Sequence, residues 1–308
     1  MYKKGLLPCS IKHACRLLSQ DKHADNTGLL RRLRTAPHDA YLAIDIFTSE
    51  HQGWKIEGLN KYYNGNSVTW GLSFADATLV WTDKEKSPYP LGFKSHLYKE
   101  MGSNQYRSLT PSELMLELTR KTNKALRIKA VVFDGGITAR PALKELKEEK
   151  IPFVGRIKTT NTITFQEREM SIKNLAQEFR PGIARWYKNL KCYAKRVKIK
   201  FSDVGEADLV IIWWEERKGN KLSVLVSTLE TGVQEVIKVH KARWQDEVSH
   251  RLLKQSFGFE ACQCQTYAAQ LKHADLCLDA FHQVRAKKEE HLELSWREVQ
   301  ELYCQGFI

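Results

Sequence analysis

Long apolar runs are the first thing that this chain of 308 residues lacks. No run approaches the roughly 20 apolar residues needed to cross a bilayer, so the sequence predicts no membrane-spanning segment. The N-terminus, MYKKGLLPCSIKHACRLL, also lacks the sustained apolar core and the cleavage site of a secretory signal. Internal repeats and low-complexity tracts are missing too. These absences argue against membrane, secreted and repeat classes of protein.

Cysteine is sparse, and the seven cysteines (9, 15, 192, 262, 264, 277 and 304) are odd in number. Scattered cysteines without an even count favour a reduced, cytoplasmic compartment over a disulfide framework. Cys262 and Cys264, with His273 and Cys277 nearby, match no common zinc-finger spacing. We therefore predict buried thiols there rather than a metal site.

Acidic residues are outnumbered by basic ones. The chain has 49 Lys and Arg against 36 Asp and Glu, a net charge of +13, and 42% of its residues are hydrophobic. That composition predicts a folded protein, and the positive surplus suits a polyanionic partner such as nucleic acid. Residues 1–38 contain eight Lys or Arg against two Asp, and we interpret them as a basic N-terminal arm or linker with a short helix at about 10–19.

Strands and helices alternate in the first half of the chain, which predicts an α/β fold with parallel strands. Thr110-Pro111-Ser112-Glu113 is a capping box that opens a helix to about Ala125. We predict a hairpin in SVTWGLSFADATLVWT (67–82), turning near Ala75–Asp76. The other predicted elements are strands at 41–48, 127–136 and 151–158 and a helix at 139–149.

The second half changes character twice. Residues 161–230 have mainly strand patterns and form a predicted β-rich insertion, whereas 39–160 form the first part of the core. Residues 231–308 return to helix, beginning with one predicted helix from Glu235 to Phe257, and complete the core. The predicted fold class is thus α/β, a mixed sheet flanked by helices with a β-rich insertion.

Two acids lie in otherwise apolar strands, Asp45 in AIDIF and Asp134 in VVFDGG. A buried carboxylate without a partner costs several kcal/mol or becomes protonated, so such acids bind metal, pair with a cation or emerge at a strand end. Asp134 has the further alternative of capping the turn at Gly135-Gly136. With Glu247 as a third acid, three carboxylates can hold two Mg²⁺ ions for in-line phosphoryl transfer.

The segment HKARWQDEVSHRLLKQSFG (240–258) places four polar side chains within about 60° of one helix face, if that helix is unbroken. These residues are His240, Arg243, Glu247 and Lys254. One interpretation is a solvated salt-bridge face. The other is functional, with Arg243 orienting Glu247 or holding a phosphate and Lys254 contacting the DNA backbone.

This segment resembles the Tyr-(2)-Arg-(3)-Glu-(6)-Lys signature of bacterial insertion-sequence DDE transposases. Arg243, Glu247 and Lys254 have that spacing, and Asp45 and Asp134 lie in strand settings similar to those of the family's first two acids. The resemblance covers about residues 40–285. It implies an RNase H-like core in which Asp45, Asp134 and Glu247 are the catalytic metal ligands.

The resemblance also implies an activity and its partners. A member of this family cuts transposon ends and joins them to target DNA, using two Mg²⁺ ions for which Mn²⁺ can substitute. The implied partners are double-stranded DNA, as terminal inverted repeats and target, and a second copy of the chain on that DNA. The implied location is the cytoplasm, on the bacterial nucleoid.

Two departures leave alternatives open. His240 occupies the signature tyrosine position, where it would titrate near neutrality. Asp45 is only 45 residues into the chain, which leaves little room for an end-recognition domain before it. We therefore keep two alternatives: an inactive or non-catalytic transposase-derived DNA-binding protein, and an RNase H-like nuclease.

Aromatic and histidine side chains add further candidates. Trp213 and Trp214 in the insertion are candidates for stacking on an unpaired base, although at most one should face the core and a structural role is favoured. Trp244 is interpreted as core packing. His250 and His273 are interpreted as packed or surface histidines rather than ligands.

Overall fold

In the computed structural model, the described residues are 27–51, 56–63, 67–83, 85–96, 109–216, 219–262 and 264–306. The strands are β1 Tyr41–Glu50, β2 Asn60–Tyr63, β3 Val68–Val80, β4 Tyr89–His96, β5 Val131–Phe133, β6 Phe153–Arg156, β7 Thr162–Phe165, β8 Arg168–Ser171, β9 Arg185–Tyr187, β10 Cys192–Phe201, β11 Gly205–Glu216 and β12 Gly219–Ser227. The α-helices are α1 Thr27–Thr35, α2 Pro111–Leu126, α3 Arg140–Glu148, α4 Ile172–Ile183, α5 Val233–Ala242, α6 Trp244–Ser256, α7 Tyr267–Glu290 and α8 Trp296–Gln305.

The strands form one mixed sheet with the order β2-β3-β1-β5-β6-β12-β11-β10-β7-β8, to which β4 adds on β3 and β9 on β10. Strands β1, β5 and β6 are parallel neighbours, and β3 and β12 flank them in the antiparallel sense. The predicted class, α/β with a mixed sheet flanked by helices, is confirmed.

Strand β3 is longer than the sequence pattern suggested. The predicted hairpin near Ala75–Asp76 is wrong, because β3 pairs with β1 without interruption from Gly71 to Val80. Both of its faces are buried over most of that length, so the polar interruption at Asp76 marks a buried acid rather than a turn. Asp76 consequently lies directly opposite Asp45 in the ladder.

The predicted insertion, 161–230, is mainly β, as expected, but it also contains the helix α4. Its strands are continuous with the core sheet, because Leu225 to Ser227 of β12 pair with Val154 to Arg156 of β6. Strand β12 in turn pairs antiparallel with β11, from Glu216 with Gly219 to Asp208 with Ser227.

Helices cover both faces of the sheet. The capping box at Thr110 is present at the start of α2, and α2 and α3 pack on the face of β1 and β5 that carries Leu42, Ile44 and Phe133. The opposite face carries Ala43 and Val132 and is covered by α5 and then α6. Because strand residues alternate between faces, Asp45 and Asp134 both belong to this second face.

The predicted N-terminal arm is partly a packed helix. Residues 27–35 form α1, whose Leu29 and Leu33 are buried in the main core. Its Arg32 is 4% exposed, donates to the carbonyl of Leu91, and pairs with Asp275 and Asp279 of α7. The helix predicted at 10–19 lies outside the described residues.

Two further predictions are settled by the C-terminal part. The single helix predicted from Glu235 to Phe257 is two helices, α5 and α6, which meet at Arg243, where the backbone tightens to an i−3 hydrogen bond with His240. Cys262, Cys264 and Cys277 are buried, as predicted. Among the described residues, no helix is long and apolar enough to span a bilayer.

Candidate functional site

Two neighbouring parallel strands bring the first two acids together. In the β1–β5 ladder Ile44 pairs with Phe133, so Asp45 and Asp134 each follow that pair by one residue. Adjacent strands lie about 4.8 Å apart, and both acids belong to the face covered by α5 and α6. Asp134 is the first residue after β5, at the carboxyl edge where parallel sheets collect ligands.

Arg243 connects these strands with the third acid. Its guanidinium donates to Asp45 Oδ2 at 2.8 Å and to Glu247 Oε1 at 3.0 Å, one turn further along α6. Burial alone would lower the pKa of Arg243, yet the charges of Asp45, Asp134 and Glu247 raise it. All three carboxylates therefore act on one guanidinium, although they come from distant parts of the chain.

This set of oxygen donors fits divalent magnesium. Three carboxylates from two strands and one helix surround a single cationic group, and hard oxygen ligands are those that Mg²⁺ prefers. The side chain of Glu247 is 31% exposed, so the group opens to solvent on that side. Arg243 supplies the positive charge that this cluster of anions requires.

The side chain of Asp45 is 22% exposed, less than the 31% of Glu247. Burial raises its pKa above the usual range, Arg243 acts in the opposite direction, and the charge of Asp76 raises it further. Its Oδ1 also accepts from the backbone N–H of Ile46. A carboxylate held this way releases its proton readily only when a cation is beside it.

The expectation that His240 titrates near neutrality is wrong. Burial, followed by the charge of Arg243, lowers the pKa of His240 to about 4. Its Nε2 is buried and has no hydrogen-bond partner among the described residues. His240 is therefore a neutral neighbour of Arg243 at pH 7, not a cation for phosphate.

Lys254 lies at the far end of the same helix and is already engaged. Its ammonium donates to the carbonyl of Thr48 at 2.8 Å and pairs with Glu260 at 2.8 Å. It also lies over the ring of Phe47, 5.8 Å from its centroid. These contacts anchor the end of β1 to α6, so a phosphate would have to compete with them.

Of the two insertion tryptophans, one faces the main core, in agreement with the prediction that at most one would. Trp213 is 6% exposed in the main core, so its ring is closed to a base and it leaves the candidate set. Trp214 faces the other side, is half-buried, and lies under the ammonium of Lys241 at 4.5 Å. Trp244 was interpreted as core packing, which is wrong, because 57% of it is exposed beside Arg243.

Sequence reasoning missed a second polar group next to this site. Asp76, Asp246 and His250 are buried together, with His250 Nε2 at 2.9 Å from Asp76 Oδ2 and at 3.6 Å from Asp246 Oδ1. Burial opposes ionisation of Asp76, but the contact with His250 outweighs burial and keeps the pKa of Asp76 below its usual value. The pKa of Asp246 is instead raised well above its usual value, by burial and by the charge of Asp76. The sequence feature that could have predicted this group is Asp76, because it is an acid within an apolar strand.

Comparison with known proteins gives the class of this domain. The family model described as "Transposase DDE domain" matches residues 106–278, more than half of the chain. The chain therefore belongs to the DDE transposase domain family. Asp134 and Glu247 lie inside the matched residues, and Asp45 lies before them.

One solved structure with a similar fold is described as "Cryo-EM structure of piggyBac transposase synaptic complex with hairpin DNA (SNHP)". The TM-score is 0.52 at 13% sequence identity, over 91% of this chain and 54% of that chain. The similarity concerns the fold, and the chain spans about half the length of that transposase. None of the curated proteins compared with the sequence matches it.

Proposed function

We propose that this chain is a DNA transposase that cleaves transposon ends and joins them to target DNA by two-metal-ion phosphoryl transfer. The observation that carries the proposal is the convergence of Asp45, Asp134 and Glu247 on the guanidinium of Arg243. Membership of the DDE transposase domain family supports the same reaction class. The Arg243, Glu247 and Lys254 spacing supports assignment to the bacterial insertion-sequence group, with an RNase H-like core.

Each acid has a defined part in this proposal. Asp45, Asp134 and Glu247 would hold the divalent ions, Mg²⁺ by preference with Mn²⁺ as a substitute. When bound, two such ions supply a polarised water or 3′-hydroxyl and stabilise the departing oxygen. Arg243 holds Asp45 and Glu247 in position before metal arrives, because it contacts both carboxylates.

Double-stranded DNA is the proposed substrate, both as terminal inverted repeats and as target. The +13 net charge favours binding of a polyanion, and binding should weaken steeply with salt. Trp244 presents an exposed ring beside Arg243, and Trp214 retains part of its surface. We further propose that two copies act together on DNA, since two ends are joined, and that the protein works on the bacterial nucleoid.

The first test is metal-dependent DNA cleavage. Purified protein is incubated with labelled duplexes carrying the inverted repeats that flank its coding sequence, in Mg²⁺, Mn²⁺ or Ca²⁺. We expect nicks with a free 3′-hydroxyl in Mg²⁺ and Mn²⁺. Asp45→Asn, Asp134→Asn and Glu247→Gln should each reduce the rate by about 10³-fold or more, since removing a metal ligand removes transition-state stabilisation.

The matched control is Glu148→Gln, an exposed acid of α3 whose removal also lowers negative charge by one. It should cleave at the wild-type rate, and thermal melting should show that all variants are folded. Cleavage that persists undiminished in all three acid variants would refute the site assignment. Nicking without joining would identify a nuclease, and binding without cleavage by the wild type would identify a non-catalytic DNA-binding protein.

A further inference from the structure

The buried group beside the candidate active site has the composition of a metal site of another kind. We propose that Asp76, Asp246 and His250 bind one divalent transition-metal ion, such as Zn²⁺, separately from the ions held by Asp45, Asp134 and Glu247. Asp76 comes from β3, and the other two come from successive turns of α6. We refer to these three residues as the Asp76 cluster.

The separations between ligand atoms fit a shared ion. One ligand atom from each of the three residues lies within 4.8 Å of the other two. His250 Nε2 is 2.9 Å from Asp76 Oδ2 and 3.6 Å from Asp246 Oδ1. Two ligands that are each about 2.0–2.2 Å from a tetrahedral ion lie about 3.4 Å apart, a separation between those two distances.

Three of the four carboxylate oxygens in the cluster lack a hydrogen-bond partner among the described residues. Asp246 is fully buried, and neither of its carboxylate oxygens accepts a hydrogen bond from the residues that the structure describes. Asp76 Oδ1 is buried without a partner in the same set of residues. Buried carboxylates without hydrogen bonds cost several kcal/mol each when ionised, and one oxygen of each acid lies close to His250 Nε2, so a shared cation would satisfy this group.

The surroundings hold the ligands in place. Thr78 donates its hydroxyl to Asp76 Oδ2 at 3.1 Å, as outer partners of ligating carboxylates do. The ring of Phe47 packs on the imidazole of His250 with the centroids 4.1 Å apart. Asp246 and His250 are four residues apart on α6, so both side chains project from the same helix face.

The donor types distinguish the two sites. An imidazole nitrogen with two carboxylates suits zinc and neighbouring transition metals, whereas three carboxylates suit magnesium. The cluster also connects β3 with α6, the helix that carries Glu247. An ion there would fix the position of that helix on the sheet without contacting the substrate.

Metal content is the direct test. Full-length protein is purified without chelator and passed through gel filtration, and its metals are counted by inductively coupled plasma mass spectrometry. We expect about one zinc or comparable transition-metal ion per chain. Asp76→Asn with Asp246→Asn should lower this to below 0.1, while Asp45→Asn with Glu247→Gln should leave it unchanged.

A second measurement covers the case in which those variants fail to fold. Wild-type protein stripped with chelator is titrated with Zn²⁺ and melted, and its melting temperature should rise by several degrees with saturation at one equivalent. Asp246→Leu with His250→Phe replaces the ligands by apolar groups, so it should fold and show no response. The proposal would be overturned if the wild-type protein contained no metal and its melting temperature did not respond to Zn²⁺. It would also be overturned if Asp246→Leu with His250→Phe bound Zn²⁺ as well as the wild type does. DNA cleavage is measured independently, so either proposal can fail alone.

Discussion

Arg243 joins two of the acids of the candidate active site. Its guanidinium forms ion pairs with Asp45 and Glu247 at the same time, and only 12% of its side chain is exposed. A guanidinium suits this task because its donors are fixed in one plane. The backbone break between α5 and α6 occurs at this residue, so the turn that ends one helix also positions the site.

His240 gives a prediction for acid stability. Its pKa of about 4 is below the 6.5 of an unfolded histidine, so folding is disfavoured as pH falls from about 6.5 to 4. The shift of about 2.5 units corresponds to about 3 kcal/mol lost across that window. Between pH 7 and pH 4, the free energy of unfolding of His240→Gln should therefore fall by about 3 kcal/mol less than that of the wild type. Urea unfolding in the presence of a chelator measures this difference.

His38 provides the control for that experiment, because it is an exposed histidine. The curve of His38→Gln should follow that of wild type. Parallel pH curves for wild type and His240→Gln would show that this imidazole is not buried as described.

Sequence reasoning is most informative for residues whose chemistry conflicts with their surroundings. Asp45, Asp134 and Glu247 were predicted as a site because each is an acid at an unusual place with a recognisable spacing. Asp76 was also such an acid, but it was interpreted as a turn. Its partners Asp246 and His250 lie in a segment rich in charge, where burial of an individual residue has no sequence signal.

At the level of elements, β5 and β6 pack against one another through a glycine. Gly155 pairs with Phe133, and a Cβ at Gly155 would lie 2.1 Å from the Phe133 ring. Gly155→Ala should therefore destabilise the protein by about 3 kcal/mol, since an overpacked core must shift a ring or a strand. Chemical denaturation measures this loss.

Gly136→Ala is the matched control, because its Cβ would meet nothing within 4 Å. It should change stability by less than about 1 kcal/mol. Adding Phe133→Leu to Gly155→Ala should recover part of the loss, since the smaller side chain leaves room. Additive effects of the two substitutions would contradict direct contact between them.

Elements with local signals were predicted well, and those decided by long-range contacts were not. The capping box at Thr110 fixes the start of α2 within four residues, so it is readable from the sequence. The contact of Arg243 with Asp45, at the break between α5 and α6, joins distant segments and has no local sequence pattern. The continuity of β12 with β6 likewise depends on pairing between distant segments.

For the molecule as a whole, the buried side chain of Arg32 connects α1 with α7 through ion pairs. Arg32→Met should cost about 3 kcal/mol, because it leaves Asp275, Asp279 and the Leu91 carbonyl without their shared donor. Arg31 also pairs with Asp279, but its side chain is 63% exposed. Arg31→Ala should therefore cost less than about 1 kcal/mol in the same unfolding experiment. Equal losses would show that burial of Arg32 is unimportant.

The contact between Arg243 and Asp45 joins residues 198 positions apart. During synthesis, the strands that carry Asp45 and Asp134 leave the ribosome long before the helix that carries Glu247. A nascent chain therefore contains two of the three carboxylates but cannot complete the set until α6 has been made and has docked. In the proposed function, DNA cleavage therefore requires that α6 has been made, and a product that ends before α6 should not cleave DNA.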